Sequence, residues 1–378
     1  MSQDTPSPPP QKKGLGWGFG FSLLLNGLLL GAGGVLVALF WLLQPVWSGL
    51  FPTSQLVERT RPGSGTAKPG IAVIHISGML IEGALDYTYR QIEQAAADPN
   101  IEAVVLRINS PGGTMTSSDE LHRRISLLLS GQPDRNRAPK KALIASFGAL
   151  AASGAYYLAM PASEIVIDRV GITGSIGVFA SLPTVEELAK RNGFAMQTIK
   201  QGEIKDSGSP FKQLSTKERQ VWQDLIDTSY VRFVDVVEKG RGNRLKKGLL
   251  ERFDLKPVNA GPPDSPEKAA PYQRYLADGG IYTTQRALEL GLVDQIGDLD
   301  VAIQKARDVA GLDATRKVIE YDKPRAPAEW ALGVQAPWGN SPAALADALT
   351  PRVWAMAPGM ETAALLTILG RTGGISGP

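Results

Sequence analysis

Catalysis by a serine hydroxyl needs a base to take its proton, donors for the oxyanion, and neighbours small enough to let a carbonyl approach. Ser153 has such neighbours. It sits in GALAASGAYY, among Ala149, Ala151, Ala152, Gly154 and Ala155. Tyr156 to Ala159 extend a helical stretch that must stop before Pro161. A serine at a strand-to-helix corner aims its hydroxyl at free N–H groups, where negative charge is favoured. The same local sequence fits a serine that merely caps a helix among small, close-packed residues. Ser110-Pro111-Gly112-Gly113 offers the donors. Two glycines let backbone N–H groups turn outward as an anion-binding nest, although Pro-Gly also makes ordinary tight turns.

The base is the harder question. A Ser–His–Asp triad needs a positioned histidine. There are two, His75 in an apolar run and His122 in the charged stretch ELHRRIS, and no motif surrounds either. A lysine can serve if desolvation brings its pKa towards neutrality. Lys205 lies in the polar loop KQGEIKDSGSP, where a solvated surface lysine is the default. With no cysteine, thiol catalysis, disulfides and cysteine-ligated zinc are excluded.

These residues must be held by elements that the sequence outlines. From Gly70, short apolar runs alternate with helical patterns. Strands are predicted at 71–77, 101–108, 141–147, 164–168, 173–179, 195–200 and 316–321. Helices are predicted at 86–98, from about Ser117 with Glu120 as a capping box, at 184–192, from the Ser215/Glu218 capping box to about Glu238, at 283–290 and at 299–310. The alternation argues an α/β domain with a largely buried sheet over about 70–322. After Asp322 the composition turns to Pro, Ala, Gly and Trp, giving a tail over 323–378, partly ordered at best, with weak helical pieces near 342–349 and 361–369.

Ahead of this domain, no charge occurs between Lys13 and Glu58. Gly18 to Leu43 is apolar throughout, longer than a secretory h-region and long enough to span a bilayer. It predicts an uncleaved transmembrane anchor over 18–43, a disordered N-terminus over 1–17 and a linker over 44–69. Lys12 and Lys13 place the N-terminus in the cytoplasm and the domain outside it. The net charge is +3, and the scattered basic residues have no aromatic interleaving, so nucleic-acid binding is not expected.

The fragments RINSPGG (107–113), AASGAYY (151–157), TGSIGV (173–178), GEIKD (202–206) and LADGGIYTTQRALELGLVDQIG (276–297) follow in that order. Their order and wording resemble the signal peptide peptidase A family, half-length bacterial type, over about 70–321. The resemblance implies a crotonase/caseinolytic-protease-like α/β fold, here with an N-terminal transmembrane helix. It implies a serine endopeptidase with a Ser/Lys dyad: Ser153 as nucleophile, Lys205 as base and Ser175 orienting the lysine. Gly112, Gly113 and Gly154 would form the oxyanion hole. It implies no metal or organic cofactor. It implies a homo-oligomer whose half-length members complete each dyad between neighbouring protomers. Its peptide substrates are remnant signal peptides and unfolded chains, cut after small or apolar residues. Localisation would be the bacterial inner membrane, single-pass, with an extracytoplasmic (periplasmic) catalytic domain. The chain departs from the family at Gly279-Gly280, where Gly-Arg is common, and in the Pro-rich stretch 241–275. Two rivals carry other functions: an acyl-CoA enzyme of the same fold, and a non-catalytic membrane scaffold.

Overall fold

The computed structural model describes residues 56–130, 140–255, 271–322, 354–358 and 360. Its strands are Val57–Thr60 (β1), Pro69–Ser77 (β2), Ala103–Ser110 (β3), Gly112–Thr114 (β4), Ala142–Ala152 (β5), Glu164–Ile167 (β6) and Ile172–Gly174 (β7). Phe253–Leu255 (β8), Tyr272–Arg274 (β9), Ile281–Thr283 (β10), Gln295–Ile296 (β11), Lys317–Asp322 (β12) and Trp354–Met356 (β13) complete them. The helices are Asp86–Ala97 (α1), Met115–Ser130 (α2), Gly154–Leu158 (α3), Glu186–Arg191 (α4), Thr216–Arg241 (α5), Thr284–Glu289 (α6) and Leu299–Ala310 (α7).

The apolar runs pair into a mostly parallel sheet in the order β1-β12-β2-β3-β5-β6-β11, with β7 on β5 and β10 on β7. Near-continuous apolar sequence is what a parallel strand buried on both faces requires. Alternation then sorts the side chains. Ala72, Ile74, Ile76, Val104, Leu106 and Ile108 face the main core, which α1 and α2 cover with Ile92, Leu121 and Ile125. Ile71, Val73, Ala103 and Val105 face the opposite layer, where α7 supplies Ala302, Ile303 and Ala306. The α/β expectation holds. All described residues lie in one compact unit.

Several local readings change. SPGG is not a simple turn, because Gly112–Thr114 is itself a strand. The α2 helix starts at Met115, where the Thr114 hydroxyl accepts the Ser117 N–H; Glu120 pairs with Arg123 and Arg124 and caps nothing. The Ser215/Glu218 capping box forms as read. Residues 195–200 are not a strand: Met196 and Ile199 are exposed and no strand among the described residues pairs with them. Val57–Thr60, inside the stretch read as linker, pairs antiparallel with β12. In the tail, residues 354–356 are a buried strand. The predicted anchor at 18–43 and the helical pieces at 342–349 and 361–369 lie outside the described residues. Among the described residues no helix is long and apolar enough to cross a membrane.

Candidate active site

Ser153 ends the longest strand of the sheet. β5 follows β3 along residues 142–147, then shifts register and pairs its last residues with β7, Ala152 opposite Gly174. The small residues of GALAA are what allow this. At the corner into α3, Ser153 takes φ 57° and ψ −120°. That region is open to glycine and strained by about 1–3 kcal/mol for any other residue. Its N–H donates to Gly174 O at 2.7 Å, which fixes the corner against β7. Ser153 is fully buried, and its Oγ has no hydrogen-bond partner among the described residues. A buried hydroxyl without a partner is destabilising by about 1–3 kcal/mol. Strain and an orphaned buried hydroxyl cluster at functional sites, and their coincidence makes Ser153 the candidate nucleophile.

The glycines close round it. The Gly112 N–H donates to the Ser110 hydroxyl at 3.1 Å, and the Thr114 N–H donates to Leu80 O at 2.8 Å. Between them, Gly113 lies opposite Ala355 of β13. Both glycines pair with the strand that crosses them, Gly112 opposite Met356 and Gly113 opposite Ala355. A Cβ at Gly112 would lie 2.1 Å from Ala355 O and 2.8 Å from Gly154 N, so the Gly112, Gly154 and Ala355 backbones converge here. A Cβ at Gly113 would meet Leu80 O at 1.9 Å, and one at Gly154 would meet Ser118 Oγ at 2.2 Å.

Ser175 is the second non-glycine residue with positive φ, at 52°. Its N–H donates to Gly280 O at 2.8 Å and its Oγ donates to Met356 O at 3.3 Å. It stands next to Gly174, which holds the Ser153 amide, so the structure brings Ser153, Ser175 and the three glycines together.

Lys205 is not among them. It is exposed in the loop after residue 200, and its Nζ makes no hydrogen bond or ion pair with any described residue. The neighbouring carboxylate, Asp206, is occupied by Lys200 at 2.5 Å and Lys212 at 2.8 Å, which hold its pKa at about 2. Neither histidine substitutes, because nothing bonds to Ser153 Oγ. His122 packs edge-on against Tyr157, and burial lowers its pKa. His75 lies 3.6 Å from Glu320 of the neighbouring strand β12. Among the described residues no cluster of His, Cys, Asp or Glu could hold a metal.

Sequence reasoning missed the strand that crosses the site. Trp354 and Phe179 exchange backbone hydrogen bonds of 2.8 and 3.0 Å, and the Ala357 N–H donates to Pro111 O at 2.8 Å. The available signal was the apolar run WAMA, ending at Pro358.

Residues 135–248, which carry Ser153, Ser175 and Lys205, match the family described as Peptidase family S49. A Synechocystis sp. protein named "Putative protease slr0021" is 32% identical over 266 residues, 70% of this chain and 83% of that protein. The chain belongs to peptidase family S49. It is a peptidase. Protease 4 of Salmonella typhi is 31% identical over 261 residues, and a protein of Enterococcus faecium with a signal peptide peptidase SppA name is 32% identical over 232. The S49 relatives differ in length. This chain's matched part spans 37% of the Salmonella protein and 57% of the Enterococcus one. A solved structure of a membrane-bound stomatin-specific protease aligns at 14% identity and a TM-score of 0.32, over 64% of this chain and 86% of that one. That likeness is too slight to carry an argument.

Proposed function

We propose that the protein is a serine endopeptidase of the signal peptide peptidase A type. Its nucleophile is Ser153 and its base is Lys205 from a neighbouring copy. The observation that carries this reading is the state of Ser153: strained, buried, hydroxyl unpartnered, and set where the Gly112–Gly113 and Gly154 backbones converge. Such a serine has its acyl-transfer surroundings and lacks only a base.

Lys205 is the complementary half. Its amine is exposed and makes no ion pair with any described residue. The loop that bears it is flanked by exposed apolar residues, Leu188, Phe194, Met196 and Ile199, with Val221 and Leu225 on α5. A large exposed apolar surface marks an interaction site. A second copy is the partner that would answer both needs, covering this surface and delivering the amine to a buried serine.

Neutral Lys205 then takes the Ser153 proton as Oγ attacks a peptide carbonyl. The Gly113 and Gly154 amides stabilise the oxyanion, and Ser175 orients the lysine. The leaving amine takes a proton from the lysine, and water releases the acyl group. The substrates are signal peptide remnants and unfolded chains with small or apolar residues before the cut. No cofactor takes part. The fold is of the crotonase/caseinolytic-protease type, and residues 18–43 anchor the enzyme in the bacterial inner membrane with the catalytic domain on the periplasmic side.

Hydrolysis of an unfolded apolar peptide by the detergent-solubilised protein tests this. Ser153→Ala and Lys205→Ala should each lower turnover by about 10³-fold or more while remaining folded. Full activity in Lys205→Ala would remove that lysine from the mechanism. An inert wild type that binds a CoA thioester would favour the acyl-CoA rival instead.

A further inference from the structure

Helix α3 cannot hold itself in place. It is five residues long, Gly154–Leu158, and starts directly after the strained Ser153. A helix that short does not persist alone in water, because nucleation costs more than its few hydrogen bonds contribute. Yet its first N–H, that of Gly154, is one of the amides proposed for the oxyanion. Contacts from outside α3 must fix its direction.

Ser118 of α2 closes one side. A Cβ at Gly154 would meet Ser118 Oγ at 2.2 Å, and that hydroxyl donates to Thr114 O at 2.8 Å. The two tyrosines of AASGAYY, both fully buried, supply the other anchors. The Tyr156 ring packs edge-on against Phe147 of β5, and its hydroxyl donates to Leu292 O at 2.7 Å. Tyr157 is held by two other helices. Its ring stands edge-on to His122 of α2 and to Phe233 of α5, with centroids 5.2 Å apart in each pair. Its hydroxyl donates to the Asp119 carboxylate of α2. The Tyr157 N–H donates to Ser153 O at 2.9 Å, which links this anchor to the backbone of the nucleophile.

The two hydroxyl anchors differ in kind. Tyr156 bonds to a backbone carbonyl, whose place the sheet already sets. Tyr157 bonds to a side chain that must itself be aimed. Arg232 of α5 aims it, with Nη2 at 3.2 Å and Nε at 3.4 Å from the same Asp119 oxygen. Both members of that ion pair are about half exposed, and such pairs contribute little to stability. Burial, and then the bond to Asp119, push the Tyr157 pKa up, so its hydroxyl stays a donor.

We propose that Tyr157 and Asp119 are positioning residues, whose hydrogen bond sets the orientation of α3 and with it the direction of the Gly154 N–H at the oxyanion. This rests on the Ser/Lys reading above. An oxyanion donor acts chiefly in the transition state, so its misplacement slows turnover and leaves binding of the intact peptide little changed.

The test is hydrolysis of the unfolded apolar peptide by full-length protein in detergent. Tyr157→Phe and Asp119→Ala should each lower kcat about tenfold, with KM within about twofold of wild type. Tyr157→Phe keeps the ring contacts, so its kcat decides the matter even if Asp119→Ala fails to fold. The double variant should be no slower than the slower single, because both substitutions remove one bond. Asp119→Asn keeps an acceptor oxygen and should recover about half of wild-type kcat or more. Wild-type kcat in Tyr157→Phe, losses that multiply in the double variant, or Asp119→Asn as slow as Asp119→Ala would each overturn the proposal. Where wild type cuts the peptide and Ser153→Ala does not, such a result leaves the Ser/Lys reading standing. An inert wild type, or an active Ser153→Ala, would overturn that reading and the proposal with it.

Discussion

At the scale of the residue, Ser153 shows how a site is held against its own preferences. A φ of 57° with ψ −120° suits glycine, yet a hydroxyl is needed, and the Ser153 N–H bond to Gly174 O fixes the corner. Ser153→Gly should therefore raise stability. Relief of about 1–3 kcal/mol of strain outweighs roughly 0.5–1 kcal/mol of added chain entropy. For a domain of this size that amounts to a rise of about 2–4 °C in melting temperature, with activity gone. A fall of that size would mean that the serine side chain supports the corner. The small neighbours of Ser153 fitted a helix cap as well as a nucleophile, and it was the family resemblance that made the serine a candidate. The sequence could not show that the Ser110 hydroxyl engages the Gly112 N–H, because the turn's own hydrogen bonds depend on its final geometry. Nor could it find Ala355, because only pairing with a strand more than 200 residues away gives that alanine its position.

At the scale of the element, the alternating apolar runs announced the sheet, and two stretches misled for opposite reasons. Residues 195–200 have the composition of a strand and no pairing strand among the described residues. Residues 354–356 sit in a tail with a loop-like composition and find partners on both edges. The end of α5 is pinned in a way that single-residue patterns do not reveal. The Arg241 side chain is 1% exposed and donates to both Asp294 oxygens at 2.8 Å and to Gly291 O. Asp294 also accepts the Ile165 N–H, tying α5 to β6. Burial alone would raise the Asp294 pKa, but the Arg241 pair outweighs it and the carboxyl sits below its usual range. Its stabilising contribution is thus complete above the unfolded carboxylate pKa of about 3.9 and is lost as pH falls through the lower folded value. Asp294→Asn leaves Arg241 buried without its partner and should lower stability at neutral pH by about 3–5 kcal/mol. Urea unfolding at about pH 7 and about pH 3 checks both statements, since the deficit should narrow at the acid end. An equal deficit at both pH values would contradict the assignment.

At the scale of the whole molecule, the chain places the two halves of the proposed dyad apart. Ser153 lies buried under β13, and Lys205 stands exposed in a loop flanked by uncovered apolar side chains. On the proposed Ser/Lys reading, folding of one chain does not complete the dyad, and pairing of copies would. The measurement that tests this most directly is peptide hydrolysis by a mixture of the Ser153→Ala and Lys205→Ala variants. Each should be inactive alone. Together they should regain about a quarter of wild-type turnover, because random neighbours in a closed head-to-tail assembly pair an intact serine with an intact lysine at that frequency. A mixture as inert as its components, beside an active wild type, would contradict a dyad shared between copies.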